Sequence, residues 1–178
     1  MTQPNKGEAD GEEMFHDLWA ADVDIDEIVV DLPSISTMPE IRAILARLGD
    51  VRGKRVLEMG CGFGEMSVYL AKQGANVTAS DLSSGMLDVT RRLAAKHGAA
   101  LDTLKCASDD TGLPDGTFDI VYCGNLLHHV NITSTMREVN RVLRGGGCLS
   151  LGTQSPTTRS SRSTGSWRRT SAPRTSTR

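Results

Sequence analysis

The chain has 178 residues, 38% of them hydrophobic and 24% charged, with 20 basic against 22 acidic side chains; this suffices for one domain with a real core and is too short for two of ordinary size. No apolar run approaches the roughly 18 residues of a membrane span, and the opening MTQPNKGEADGEE is polar and acidic, unlike a secretion signal, so a cytoplasmic protein is expected. The formal charge of -2 is uneven: residues 154–178 hold six arginines and no acid, leaving the rest at -8, which disfavours nucleic acid as a partner unless the tail binds it.

Residues 1–33 read as an acidic arm with an amphipathic island, MFHDLWA at 14–20, where Met14, Phe15 and Leu18 share a helical face; it is either a surface helix or a lid. A core domain is expected over 34–153. It opens with a helix from Pro39 that carries Ile41, Ile44, Leu45 and Leu48 and stops at Gly49. Strand-like runs then alternate with helical ones: a strand at 55–59, a helix at 65–73, a strand at 76–80, and a helix capped by Ser83 or Ser84. A weaker strand follows at 102–107 and a buried one at 118–123. The next helix starts near Ser134, with Thr135 and Glu138 at capping-box spacing, and Gly145 to Gly147 end it before a strand at 148–152. Such alternation predicts βαβ units, a parallel sheet of about five strands with helices on both faces, and a ligand site at the carboxyl ends of the strands. Residues 154–178, of which 19 of 25 are Ser, Thr or Arg and in which Trp167 is the large apolar residue, are expected to be disordered.

Cys61, Cys106, Cys123 and Cys148 lack C-x-x-C spacing, so no zinc site or disulfide framework is expected. Chemistry concentrates instead in VLEMGCGFGE at 56–65. Three glycines between a strand and a helix permit a tight turn and close approach of a ligand, and the helix start offers free N–H groups. A dinucleotide fingerprint would need glycine at 65; this chain has Glu65, whose carboxylate would repel a pyrophosphate. On the residues alone the glycines could also merely turn the chain, Asp81 could be a turn acid capping the Ser83 region, and Asp109 and Asp110 could be solvated loop acids.

The spacing Glu58-x-Gly60-x-Gly62-x-Gly64 resembles the cofactor loop of class I S-adenosylmethionine-dependent methyltransferases. The stretch SDDTGLPDGTFDIVYCGNLLHHV at 108–130 resembles that family's block from the adenine site through the fourth strand, and REVNRVLRGGGCLSLG at 137–152 its helix, glycine turn and fifth strand. The likeness spans about 53–152 and is closest to the small-molecule, type 11 branch that includes quinone-biosynthesis methyltransferases. It implies a Rossmann-like α/β sheet, S-adenosyl-L-methionine as cofactor and a small-molecule methyl acceptor. By it Glu58, Gly60, Cys61, Gly62 and Gly64 belong to the loop that receives the methionyl end, Asp81 and Leu82 to the ribose site, Asp109 and Asp110 to the adenine site, and Asn125 to the methyl-transfer cleft.

For a proton acceptor the chain offers His128, His129 and His16, and His129 is the best match to the family; a histidine suits proton abstraction near neutrality. Phe15 and Trp19 are either part of a lid over the cofactor or an anchor for the arm. The D/N-P-P-Y/F signature of amino-directed nucleic-acid methyltransferases is absent, since the position reads Cys-Gly-Asn-Leu. The family's sheet has seven strands, whereas the likeness stops near Thr153, so a C-terminally incomplete sheet is expected, its tail from a shifted or shortened frame or from a natural short form. An S-adenosylmethionine-binding domain without turnover is the alternative function, and nucleic-acid modification guided by the tail ranks last.

Overall fold

The structure, a computed structural model, describes residues 6–30 and 39–152. Two helices, α1 (Lys6–Ala21) and α2 (Pro39–Leu48), precede β1 (Arg55–Met59), α3 (Glu65–Lys72), β2 (Asn76–Asp81), α4 (Ser84–Lys96), β3 (Asp102–Lys105), β4 (Phe118–Gly124), α5 (Ile132–Val142) and β5 (Leu143–Gly152). The five strands form one parallel sheet in the order β3-β2-β1-β4-β5. The chain builds outward from β1 to β3, then crosses back to lay β4 on the other side of β1. That reversal opens a crevice beyond the carboxyl ends of β1 and β4.

Both faces of the sheet are covered, as the strand sequences require. Side chains alternate across a strand, so Val56, Ile120 and Tyr122 pack with Leu48, Leu70 and Leu93 from α2, α3 and α4. Leu57, Met59, Val121 and Cys123 face the opposite way, onto Val139 and Val142 of α5. Among the described residues no helix is long and apolar enough to cross a membrane, and all four cysteines are free thiols.

Three boundaries differ from expectation. The start of α5 is Ile132, capped by Asn131, whose side chain accepts from the Ser134 amide (3.1 Å). Thr135 and Glu138 form no capping box; both are buried, and Glu138 faces Thr111 and Arg141. The glycines at 145–147 do not separate helix from strand: α5 passes directly into β5, which absorbs them across a register shift opposite Phe118 and Ile120. The third strand stops at Lys105, and Ala107 instead forms an isolated bridge with Asp110. The 154–178 tail, including Trp167, and the stretch 31–38 lie outside the described residues.

Candidate functional site

The glycine loop closes the end of β1 much as expected, but its glycines serve unequal purposes. Gly60, Gly62 and Gly64 all have positive φ (68°, 55° and 83°), the region that side-chain-bearing residues avoid. A Cβ on Gly60 would lie 2.8 Å from Leu126 Cδ1, and one on Gly64 would lie 2.5 Å from Thr90 Cγ2. Those two positions are filled by the protein itself. Only Gly62 faces open space, with nothing within 4 Å of where its Cβ would be. The loop's amides are also largely committed: Cys61 donates to Ser80 O (2.9 Å), Gly64 to Cys61 O (2.9 Å) and Gly62 to Asp81 Oδ2 (2.9 Å). The expected reception of a ligand by the backbone N–H groups of 60–64 is therefore corrected for these three, whose hydrogen atoms hold the loop together.

Asp81, the last residue of β2, ties two loops: Oδ2 takes the Gly62 amide and Oδ1 the Ser83 amide (2.9 Å). The turn-acid reading is thus correct, and it coexists with a half-buried carboxylate whose remaining lone pairs are beside the open Gly62. Leu82 follows it, half-buried. Glu58 is 4% exposed and accepts from the Ser67 hydroxyl on α3, so it lies behind the loop. Burial, with help from the charges of Glu65 and Asp81, pushes its carboxyl up to about 8. Glu65 is raised by burial as well. The Cys61 thiol is buried between Ala79 and Leu87, and desolvation raises it well above its usual value, so it packs as an inert thiol.

Thr90 was not legible as part of the site. Its hydroxyl donates to Gly62 O (3.1 Å) and lies 3.5 Å from Cys61 Sγ, while its methyl group fills the space that the missing Gly64 side chain leaves. The available signal was a polar residue on the apolar stripe of α4, between Met86, Leu87 and Leu93.

Across the crevice, β4 is followed by Asn125, which among the described residues is the one non-glycine with positive φ (55°). Its amide donates to Gly152 O (2.8 Å), joining the ends of β4 and β5. The left-handed step turns the chain so that Leu126 lies over Gly60 and the His129 amide donates to Leu126 O (3.0 Å). His128 and His129 are therefore held at the same strand end as the glycine loop, with rings 4.0 Å apart.

Helix α1 lies over these same strand ends. Its acidic side faces inward: Asp17 accepts from Ser83 Oγ (2.5 Å) and the Gly85 amide (2.9 Å), Glu13 pairs with Lys105 (2.6 Å), and Glu12 stands 3.4 Å from both His16 and His129. Trp19 meets Phe63 of the glycine loop edge to face at 4.9 Å. Met14, Phe15 and Leu18 point outward and are more than 60% exposed, so Phe15 does not anchor the arm; Asp17, Trp19 and buried Ala20 do.

Asp109 and Asp110 are exposed. Asp109 Oδ2 accepts from Ser134 Oγ (3.0 Å), which draws the loop after β3 toward the start of α5. That loop is clamped below by a network the sequence did not reveal. Glu138 accepts from the Thr111 amide (2.9 Å) and hydroxyl (2.5 Å), and Arg141 bridges Glu138 (2.6 Å), Asp115 (2.6 Å) and Leu113 O (2.7 Å). The Arg141 guanidinium, with Thr111, holds the Glu138 carboxyl down at about 2.

A separate groove of about 340 Å³, lined by Leu45, Val51, Tyr69 and Gln73, lies at the opposite ends of the strands and contains none of these groups. The glycine-loop end is where Asp81, His128, His129 and the acidic side of α1 come together. The Asp81 carboxylate beside one open glycine suits a ligand that bears hydroxyl donors.

Known proteins give an independent reading. A family model described as "Methyltransferase domain" matches residues 57–151. A ubiquinone biosynthesis O-methyltransferase of Xanthomonas oryzae pv. oryzae is 38% identical over 112 residues, which cover 62% of this chain and 46% of that protein. The chain spans about half the length, 44 to 46%, of the curated relatives it matches. The crystal structure of an S-adenosylmethionine-dependent methyltransferase from Mesorhizobium loti superposes with a TM-score of 0.57 at 32% identity, covering 63% of this chain and 51% of that one. Phosphoethanolamine N-methyltransferase 1 of Haemonchus contortus, in complex with phosphoethanolamine and S-adenosylhomocysteine, gives a TM-score of 0.66 at 19% identity, covering 85% and 33%; at that identity the likeness is of fold.

Proposed function

We propose that this chain, which belongs to the methyltransferase domain family, binds S-adenosyl-L-methionine at the glycine-loop end of its sheet and transfers the methyl group to a small-molecule acceptor. The observation that carries this reading is the juxtaposition of open Gly62 with the Asp81 carboxylate at the carboxyl ends of β1 and β2, beside the crevice. The residues fit the cofactor: Gly62 gives close approach to backbone, Asp81 keeps acceptor capacity for the ribose hydroxyls, and Asp109 and Asp110 offer carboxylates for the adenine amino group. Glu58, Cys61, Gly60 and Gly64 shape the loop from behind. Leu82 and Asn125 flank the two sides of the crevice.

When bound, S-adenosyl-L-methionine supplies an electrophilic methyl carbon on a cationic sulfonium. The chain's part is to orient the acceptor, exclude water and take up a proton. His129 is the proposed base, receiving the proton of the acceptor's hydroxyl on its imidazole, with α1 covering the strand ends. The curated relatives, named as O-methyltransferases, support an oxygen acceptor. Four free thiols and a chain without a long apolar helix among the described residues support a cytoplasmic setting.

Calorimetric titration of S-adenosylhomocysteine into the 178-residue chain tests the cofactor assignment. Micromolar binding is expected, weakened at least about tenfold by Asp81→Ala, since one charge-assisted hydrogen bond contributes about 1.5–3 kcal/mol. A folded, monodisperse sample that does not bind overturns the assignment. Turnover with labelled S-adenosylmethionine and a panel of hydroxyl-bearing small molecules tests transfer; His129→Ala should lower it by about 10²–10⁴ with cofactor affinity retained.

A further inference from the structure

The proposed base does not stand alone at the mouth of the crevice. Glu12, on α1, puts Oε1 3.4 Å from His129 Nδ1 and Oε2 3.4 Å from His16 Nε2. The His16 and His129 rings are 6.0 Å apart and nearly perpendicular. His129 is fixed at its backbone by Leu126 O, and α1 is fixed at Asp17 and Glu13. Two independently anchored elements thus bring one carboxylate against one particular nitrogen of the imidazole.

We infer that Glu12 is the positioning residue for His129: its carboxylate selects the neutral tautomer that carries the proton on Nδ1 and leaves Nε2 with a lone pair for the acceptor's proton. An ionised carboxylate has no hydrogen atom to give, so a neutral ring facing it must donate from Nδ1. In the free side chain the proton prefers Nε2, the form that would leave no lone pair on the nitrogen remote from Glu12. The 3.4 Å separation is within ion-pair reach and just beyond the usual hydrogen-bond range. Proton movement balances simply: the acceptor's O–H bond breaks, its proton joins Nε2, and the imidazolium then has both N–H groups, with Nδ1–H still facing Glu12. Because Glu12 comes from α1 and His129 from the turn after β4, the base is correctly set only while α1 is seated.

This inference rests on His129 being the base proposed above, and its test needs no turnover. Two-bond ¹H–¹⁵N correlation spectra of the ¹⁵N-labelled 178-residue chain, at a pH where the rings are neutral, report which nitrogen holds the proton; His129→Asn identifies the signal. The wild type should be mostly Nδ1-protonated at His129, and Glu12→Ala should return the ring to mostly Nε2-protonated. Trp19 emission and S-adenosylhomocysteine affinity, the latter within about twofold, should stay unchanged, showing that α1 remains seated. A wild-type ring mostly Nε2-protonated, or a tautomer ratio that Glu12→Ala leaves alone, overturns the inference. Either result stands apart from loss of methyl transfer in His129→Ala, which concerns the base itself.

Discussion

Glu58 shows how far one residue's role depends on its surroundings. In the sequence it is the acid that opens a cofactor motif; in the fold it is enclosed behind the loop against Ser67. Burial raises its carboxyl from 4.5 to about 8. Between those values the folded chain keeps a proton that the unfolded chain has lost, so this group makes stability fall as pH rises from about 4.5 to about 8 and has no such effect below. Glu58→Gln, neutral throughout, should flatten that slope in urea melts taken across the interval; a parallel decline in both proteins would show that the carboxyl is not the cause. The family resemblance implies a ribose acid at Asp81, while its place at the end of a strand by itself suggests a turn acid near Ser83. That its other oxygen takes the Gly62 amide was not readable, because Gly62 lies on a different turn, at the end of β1.

The glycine loop as an element separates packing from access. Gly64→Ala sets a methyl group against Thr90 at a positive φ, combining overpacking with backbone strain, and should destabilise the fold by about 1–3 kcal/mol. Gly62→Ala meets no atom within 4 Å and should cost only the left-handed backbone, about 1–2 kcal/mol, yet weaken S-adenosylhomocysteine binding more than its effect on stability suggests. Thermal melts and titrations of the two variants distinguish these outcomes; equal losses of affinity per unit of stability would contradict the division. The other element with a distinct prediction is the clamp between α5 and the loop after β3. Glu138→Gln leaves Arg141 and the Thr111 amide poorly matched and should cost about 1–3 kcal/mol, as measured by urea unfolding. Glu138 is held low, so its contribution is present above its ordinary carboxyl range and is lost as pH falls toward about 2. Capping-box spacing misled at this helix because Asn131 offered a cap one turn earlier and the interior had another use for Glu138.

At the scale of the molecule, α1 joins the strand ends of β1, β2, β3 and β4 through Phe63, Ser83, Lys105 and His129. Asp17 is its firmest tie, its carboxyl lowered by the Ser83 hydroxyl and the Gly85 amide, and Gly85 admits the approach because a Cβ there would come within 3.0 Å of Ala20. Asp17→Ala should loosen α1 alone: Trp19 emission should shift to the red and α1 amides exchange faster, while the sheet keeps its protection. The wild-type helix should loosen in the same way as pH falls through the Asp17 titration, since the tie needs the ionised carboxylate. Unchanged Trp19 emission in the variant would mean that Glu12 and Glu13 suffice. Alternating strand and helix patterns, cap residues and the order of the motifs determined the parallel sheet, its helices and the end at which a ligand site is proposed, because backbone geometry and hydrophobic period are local properties. Which glycine is open, where Glu58 points, what Thr90 fills and which carboxylate faces His129 were decided only by tertiary structure, because each depends on atoms brought together from distant parts of the chain.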